Sequence, residues 1–345
     1  MKILVTGASG RIGRALVAAL IERGDEVRCL VMRQDPHAGA LASLGKRVEI
    51  VWGHLEYYAE VEPAVAGVEA IFHLGAAMGS FTDWQFFEMN VRGTFNLLQA
   101  VRRVAPSIQR FVFPSSDAIY NKYVPGGYRT AINPDITPRD GKGTYALTKI
   151  LGEEMCWSYL RTYDIPAVVV RFPICRTAEE LPEFYELWLD GLLRYKRSQR
   201  REDPEAEKAV ALLEQLQQAA GGERRLVVAR DEFGHPYQRV YLDVRDAVRA
   251  LLLTLEKPAA VGHAFPVIGK DQPVTSNKLV RYLSKKLGIP YVDVNLPGIP
   301  TYYAHDDRKT RVLLGYEPKY DVFAMIDEAV AKRAAQPAGE RQAAS

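Results

Sequence analysis

The sequence predicts an α/β fold: a doubly wound, mostly parallel sheet followed by a smaller C-terminal lobe. Three observations predict it. Short apolar runs alternate with stretches of helical periodicity over the first half of the chain. A glycine-rich turn, with Gly7, Gly10 and Gly13, follows the first of these runs at once. After Arg171 the alternation breaks and a helix-rich, charged segment begins.

Bulk properties set the limits. The 345 residues are long for one small domain, and 48% hydrophobic with 25% charged residues is ordinary for a globular protein. A formal charge of +3 is too small to argue for nucleic acid or an anionic membrane. No apolar run approaches the ~20 residues that span a bilayer. Cys29, Cys156 and Cys175 follow no metal or redox spacing and read as small core residues. The scattered histidines give no ligand spacing, so no metal is expected. Met1-Lys2 runs directly into Ile3-Leu4-Val5, which leaves no room for a cleavable signal, and the cytoplasm is the expected compartment.

Taken in order, residues 2–5 read as a buried strand and Arg14 to Arg23 as a helix, with Thr6-Gly7-Ala8-Ser9-Gly10-Arg11-Ile12-Gly13 between them. Strand, glycine turn and helix form the context of a dinucleotide-binding Rossmann turn. Gly7 permits the tight turn, Gly10 lets the backbone approach a pyrophosphate, and Gly13 lets helix and strand pack closely. The free N–H groups of the helix start then face the phosphates. The second strand, Glu26 to Val31, ends in Met32-Arg33 without an acid, and Asp35 lies beyond. Arg33, with Arg11 or Arg14, is a candidate for a 2′-phosphate, so NAD(P) is the expected cofactor with NADP favoured over NAD. Val48 to Val51 is a third strand, and residues 70–74 are a fourth, ending in Gly75-Ala76-Ala77. A helix is expected over 84–104 with Phe87, Val91, Phe95, Leu98 and Val101 on one stripe. Arg110 to Pro114 is a fifth strand with Ser115-Ser116 at its carboxyl end, where open α/β sheets bind ligands. A helix over 144–163 and a strand over 167–171 follow.

In that helix Tyr145 and Lys149 stand one turn apart on one face. A free phenol with a pKa of about 10 is a poor base near neutrality, and a fixed ammonium beside it favours the phenolate. Ser116 is expected to orient a substrate oxygen, Tyr145 to move the proton and Lys149 to tune the phenol and hold the nicotinamide ribose.

These residues carry a family resemblance. The glycine turn, Phe72-His73-Leu74-Gly75-Ala76-Ala77, Asn90-Val91-Arg92-Gly93-Thr94, Ser115-Ser116-Asp117-Ala118-Ile119-Tyr120 and the Tyr145/Lys149 pair resemble the extended branch of the short-chain dehydrogenase/reductase superfamily. Arg239-Val240-Tyr241-Leu242-Asp243-Val244 and Leu314-Gly315-Tyr316-Glu317-Pro318 also resemble it, so the likeness spans about residues 2–330. It implies catalytic roles for Ser116, Tyr145 and Lys149. It implies cofactor contacts from Gly7, Ser9, Gly10, Arg11, Ile12, Gly13, Arg33, His54, Leu55, Leu74, Gly75, Ala76, Asn90, Pro114, Lys149 and Pro173. Ser80 (or Thr82), Asp117 and Arg239 are the implied substrate contacts, and a homodimer through helices 84–104 and 144–163 is the implied assembly. The sequence departs from the family in three places. Ile174 replaces an asparagine usual in nucleotide-sugar enzymes. His54 replaces an aspartate near the adenine. Ala118 replaces the glutamate of the sugar dehydratases, and alanine moves no proton.

Past Arg171, one helix is expected over 179–198 with Leu181, Phe184, Trp188 and Leu192 on a face. A second starts at Asp203-Pro204-Glu205 and stops at Gly221-Gly222. The charge run between them, with Arg194, Arg197, Arg200 and Arg201, reads as the tip of a solvated hairpin; a lid, a partner surface and an attractor for an anionic substrate are the sharper readings. Strands are expected at 226–228 and 264–268, helices at 275–287 and 321–335, an extended piece at 289–294 and a frayed tail over 336–345. The expected division is residues 1–173 with about 236–270 as the NAD(P)-binding unit, and about 174–235 with 271–330 as the substrate lobe, helical insert 179–220 included.

The function expected is hydride transfer between a nicotinamide and a hydroxyl or keto carbon of a small, polar, possibly sugar-like substrate. A (nucleotide-)sugar epimerase, in which the cofactor is reduced and reoxidised in one turnover, and a non-catalytic cofactor-binding scaffold are the rivals.

Overall fold

The computed structural model describes residues 1–124, 126–198 and 205–335. Arg200, Arg201, the Asp203-Pro204 start signal and the expected tail fall outside them.

The first half alternates as its sequence pattern demands. β1 (Lys2–Thr6), α1 (Arg11–Arg23), β2 (Glu26–Val31), α2 (Ala38–Ala42), β3 (Val48–Trp52), α3 (Tyr58–Val65) and β4 (Ala70–His73) come first. After β4 one continuous helical rod is built from α4 (Asp83–Phe86), a π turn (Phe87–Arg92) and α5 (Gly93–Val104). β5 (Arg110–Ser116), α6 (Thr144–Tyr163) and β6 (Ala167–Phe172) follow, then β7 (Ile174–Arg176), α7 (Leu189–Ser198), α8 (Ala206–Ala219) and β8 (Leu226–Arg230). The remainder is β9 (Gln238–Arg239), β10 (Tyr241–Asp243), α9 (Val244–Glu256), β11 (Ala264–Pro266), β12 (Val274–Thr275), α10 (Ser276–Leu287), β13 (Tyr291–Asn295), α11 (Arg308–Leu314) and α12 (Val322–Ala335).

Seven strands form one parallel sheet in the order β11-β6-β5-β4-β1-β2-β3. The order reverses between β1 and β4, the topological switch point at which doubly wound sheets bind dinucleotides. β1, β4, β5 and β6 are buried along nearly their whole length because helices cover both sheet faces. Leu16, Val17 and Leu20 of α1 pack on one face with Leu251 of α9. Leu97, Leu98 and Val101 of α5 pack on the other with Cys156 of α6. Two-stranded sheets β10-β7, β12-β9 and β13-β8 carry the rest, over a separate core around Phe184, Trp188 and Leu226.

The expected helix over 179–198 is not continuous. Only Leu189–Ser198 (α7) is α-helical, after a single 3-10 turn at Tyr185–Leu187; Trp188 between them is extended (φ −110°, ψ 140°) and bridges Leu226 of β8. Pro182 lacks an N–H, and residues 181–188 descend in tight three-residue turns instead. Leu181, Phe184, Trp188 and Leu192 are still all buried, so the apolar spacing was a true burial signal attached to the wrong conformation. Arg194 and Arg197 are exposed and pair with Asp190 and Glu214.

Candidate active site

The glycine turn has the geometry its residues predict. Gly7 sits at φ +64°, in the left-handed region, and a Cβ there would lie 2.7 Å from the backbone N of Gly75. A Cβ on Gly13 would lie 2.1 Å from the Gly7 carbonyl oxygen, so only glycine brings α1 this close to the turn. A Cβ on Gly10 would meet only the Gly7 carbonyl oxygen, at 3.2 Å, leaving its outer side open to an approaching pyrophosphate. Two further contacts brace the turn. The Gly75 N–H donates to Thr6 Oγ1, and buried His73 bridges Thr6 Oγ1 (2.8 Å) and Thr94 Oγ1 (3.0 Å). Burial pushes the His73 imidazole down to about 3, with the Lys149 charge adding to the shift, so the ring is neutral. The residues present therefore fit a dinucleotide.

A cavity of about 580 Å³ opens beside this turn, over the carboxyl ends of the sheet strands. Ser116, Tyr145 and Lys149 lie together on its wall. β5 delivers Ser116 and α6 delivers the other two. Lys149 is buried and its Nζ donates to the Pro114 carbonyl at 2.8 Å, 6.0 Å from the centre of the Tyr145 ring. The Phe86 ring meets Tyr145 edge-on at 6.0 Å.

The electrostatics correct one expectation. Lys149 does not pull the phenol down in this state. Burial pushes Tyr145 up to about 12, and the neighbouring Asp117 charge adds to it, against the Ser116 hydroxyl. Burial also pushes the Lys149 ammonium down to about 8, against the pull of Glu153. Desolvation outweighs the attraction because the ammonium is anchored on Pro114 and not on the phenol. Near neutrality Tyr145 is thus a protonated acid.

Of the expected cofactor contacts, Arg11, Ile12, Leu74, Ala76, Pro114 and Pro173 line the cavity with Lys149. Asn90 stands behind the wall: buried in the π turn, it accepts from the Ala77 N–H (2.7 Å) and donates to the Ala77 carbonyl and to Thr148. Leu55 fills the space beside Gly75 and Gly93. His54 offers its backbone N–H to Glu60, and Arg33 pairs with the same carboxylate at 2.7 Å while staying exposed. Asp35, outside the second strand and not weighed as a ribose contact, accepts a hydrogen bond from Ser9 in the glycine turn. Chain curvature after β2 returns it there, which strand boundaries alone do not reveal.

The expected substrate contacts are corrected more heavily. Ser80 is exposed and does not line the cavity, and Thr82 is spent as the N-cap of α4 in a capping box with Gln85. Asp117 lines the cavity but is engaged internally. It holds Lys122 Nζ at 2.8 Å, and Tyr303 OH and His305 Nε2 approach it at 3.3 and 3.4 Å. Burial would raise its pKa, yet the Lys122 and His305 contacts hold it well below the usual carboxylate range. It is an anchor for the segment after Ser116. Arg239 also lines the cavity, with two N–H groups converging on Glu186 Oε2 at 2.8 and 2.5 Å. Lys122, Tyr123, Arg176, Tyr185, Glu186, Tyr195 and Tyr303 complete this end of the wall. None stood out in the sequence, because they come from five separated segments with no shared spacing. Tyr195 reaches this wall from α7.

The comparisons agree with this geometry. The NAD dependent epimerase/dehydratase family matches residues 3–175. A Bacillus subtilis protein named as an uncharacterized UDP-glucose epimerase is 26% identical over 339 residues, covering 92% of this chain and 93% of its own. A short-chain dehydrogenase/reductase superfamily protein from Agrobacterium tumefaciens, solved with bound NAD, is 32% identical, covers 99% of this chain and 100% of its own, and superposes with a TM-score of 0.85. A UDP-glucuronic acid 4-epimerase mutant from Bacillus cereus, solved with NAD and a fluorinated substrate analogue, shares the fold at 20% identity, covers 96% and 99%, and gives a TM-score of 0.73. With its parallel switch-point sheet, glycine turn and Ser116, Tyr145 and Lys149 on one wall, this chain belongs to the NAD-dependent epimerase/dehydratase family, the extended short-chain dehydrogenase/reductase enzymes.

Proposed function

We propose that the chain catalyses net oxidation or reduction at a hydroxyl or keto carbon of a small, polar, sugar-like substrate. The observation that carries this reading is the convergence of Ser116, Tyr145 and Lys149 on one cavity wall continuous with the glycine turn. Ser116 Oγ orients the substrate oxygen, and the Tyr145 phenol, protonated in this state, gives that oxygen its proton in the reductive direction. Lys149, held on the Pro114 carbonyl, keeps two N–H donors for the nicotinamide ribose and the phenol. The turn at Gly7, Gly10 and Gly13 would hold the pyrophosphate. The nicotinamide, when bound, accepts or supplies the hydride.

Asp35 supports NAD over the NADP that Arg33 suggested. A carboxylate tied to Ser9 of the turn accepts hydrogen bonds from free ribose hydroxyls and repels a 2′-phosphate, whereas Arg33 is already neutralised by Glu60. A homodimer through the rods 83–104 and 144–163 is supported by apolar side chains left exposed on both: Trp84, Phe87 and Phe95 on one, Leu147 on the other. Among the described residues no helix is long and apolar enough to cross a membrane. The buried free thiols of Cys29, Cys156 and Cys175 suit a reducing compartment and support the cytoplasm.

The second reading, an epimerase, draws on the relative named for UDP-glucose. The two readings share a site and differ in net cofactor turnover. The test is the absorbance of reduced nicotinamide on mixing the NAD-loaded protein with a panel of polyols and sugars. Sustained accumulation supports net oxidation, whereas isomerised product with no net change supports the epimerase.

A further inference from the structure

Most cations lining the cavity are already matched. Arg239 is paired with Glu186, and both side chains are nearly buried (11% and 13% exposed). Lys122 is paired with Asp117 at 2.8 Å, and Arg11 with Glu180. Lys149 is held on the Pro114 carbonyl and serves the nicotinamide ribose in the reading above. Arg176 differs from all of these. It lines the cavity from β7, half-buried, and among the described residues no carboxylate forms an ion pair with it.

Two acids stand close to Arg176, and both are taken. Asp243, its register partner on β10, accepts from the Arg245 guanidinium at 2.9 and 2.7 Å. Glu180 is bonded to Arg11 and accepts the Thr177 N–H at 3.1 Å. Arg176 spends one N–H on the adjacent Cys175 carbonyl, at 2.8 Å. Its Nε and Nη2 have no hydrogen-bond partner among the described residues and are not sealed from solvent. The Phe184 ring holds the guanidinium 4.9 Å from its centre and packs on Tyr185 at 4.8 Å, which sets the arginine beside the phenols of Tyr185 and Tyr195.

Burial, with the Arg11 charge adding to it, disfavours the Arg176 cation. A partly buried charge without a counter-ion is costly, and an anion seated on it removes that cost. A free guanidinium fork matches a carboxylate or a phosphate through two parallel N–H···O bonds. The single unmatched charge decides between them. A carboxylate balances it. A phosphate monoester carries nearly two negative charges at neutral pH, and the excess would stand beside the closed pairs of Asp117 and Glu186. The phenols offer flat faces to the C–H side of a polyol ring and hydroxyls to its oxygens.

We propose that Arg176 binds a carboxylate of the substrate, so that the cavity takes a polyhydroxy acid of about monosaccharide size with its reacting hydroxyl or keto carbon at Ser116 and Tyr145. This rests on the hydride-transfer reading above and names the substrate class for it.

Calorimetric titration of the NADH-loaded wild-type protein with sugar acids, the neutral sugars of the same rings and the corresponding sugar phosphates reads the site without turnover. The acids are expected to bind tighter than the neutral sugars by about tenfold or more. Equal or weaker binding of the acids overturns the proposal, and so does tighter binding of the phosphates. NADH formation by the NAD-loaded protein is expected to show the same order in kcat/KM. Failure of the underlying hydride-transfer reading looks different: the acids bind, and no member of any set forms NADH. Arg176→Met keeps an unbranched stem against Phe184 and removes the fork. It is expected to weaken acid binding by about tenfold or more, toward the level of the neutral sugars, while the titration with NAD stays unchanged. Arg176→Lys keeps the charge without the planar fork and is expected to fall between the two. An unchanged acid preference in Arg176→Met overturns the role given to Arg176. Loss of NAD binding from a variant with the wild-type circular dichroism spectrum overturns it too, because the guanidinium then serves the cofactor.

Discussion

Lys149 Nζ donates to the Pro114 carbonyl at 2.8 Å, and that single bond ties the helix carrying Tyr145 to the strand carrying Ser116. The ammonium is thereby fixed by the backbone, and its distance from the phenol is set by the fold. Replacing Tyr145 by Phe removes the proton donor and leaves the edge-on packing with Phe86. It is expected to lower kcat by about 10²–10⁴-fold with NAD affinity nearly unchanged, read by steady-state kinetics beside calorimetry. Lys149→Met is expected to lower both kcat and NAD affinity.

The same burial fixes the direction of a pH effect. Tyr145 is pushed up to about 12, so oxidation of an alcohol, which needs the phenol to lose its proton, is expected to accelerate steadily as pH rises from 7 to 9. Reduction of the matching ketone, which needs the proton present, is expected to stay flat over that range. An oxidation rate that falls as pH rises would contradict the assignment of the phenol.

Asp35→Ala removes the carboxylate beside Ser9. The expected outcome is a gain in NADP affinity relative to NAD of about tenfold, equivalent to about 1.4 kcal/mol. Parallel titrations with both cofactors measure the ratio, and an unchanged ratio would return the discrimination to Arg33.

Gly13→Ala places a methyl group 2.1 Å from the Gly7 carbonyl oxygen, inside a turn whose backbone is packed on Gly75. Overpacking of this kind costs about 1–3 kcal/mol. The variant is expected to unfold at lower urea and to lose NAD binding even where it is folded.

His73 links acid stability to the same turn. Its folded pKa is depressed to about 3 from the ordinary 6.5, so the unfolded chain binds the extra proton first. Stability is therefore expected to rise with pH through this window and to be lost as pH falls from 6.5 toward 3, by up to about 5 kcal/mol. Urea midpoints at pH 7, 5 and 4 check this, and His73→Gln should flatten the dependence.

Much of the frame was legible because local rules and the global fold agree there. β1, the glycine turn and α1 each obey one periodicity, and Gly7 and Gly13 are glycines for steric reasons that a sequence can show. Ser116, Tyr145 and Lys149 were found because two of them sit one helical turn apart and the third ends a strand. The substrate end was not legible. Arg239 and Glu186 are 53 positions apart and become partners only through tertiary packing. Asp117 gave no sign that Lys122, Tyr303 and His305 would gather on it. α9 and α11 went unseen although Asp243 caps the start of α9 and a left-handed Gly315 closes α11, and residues 181–188 show burial and helicity parting company at Pro182.

The π turn at Phe87–Arg92 shifts the phase of the rod that contains it. One residue more per turn rotates everything after it by roughly a quarter of a circle relative to an unbroken α-helix. Asn90 can therefore turn inward to the Ala77 backbone, while Trp84 and Phe87 before it and Phe95 after it stay outward. Deleting a single residue from this stretch would rewind the rod into a uniform helix. It would sever the loop after β4 from its support and scatter the outward aromatics in the same stroke, so chain length here is constrained independently of which residues fill it.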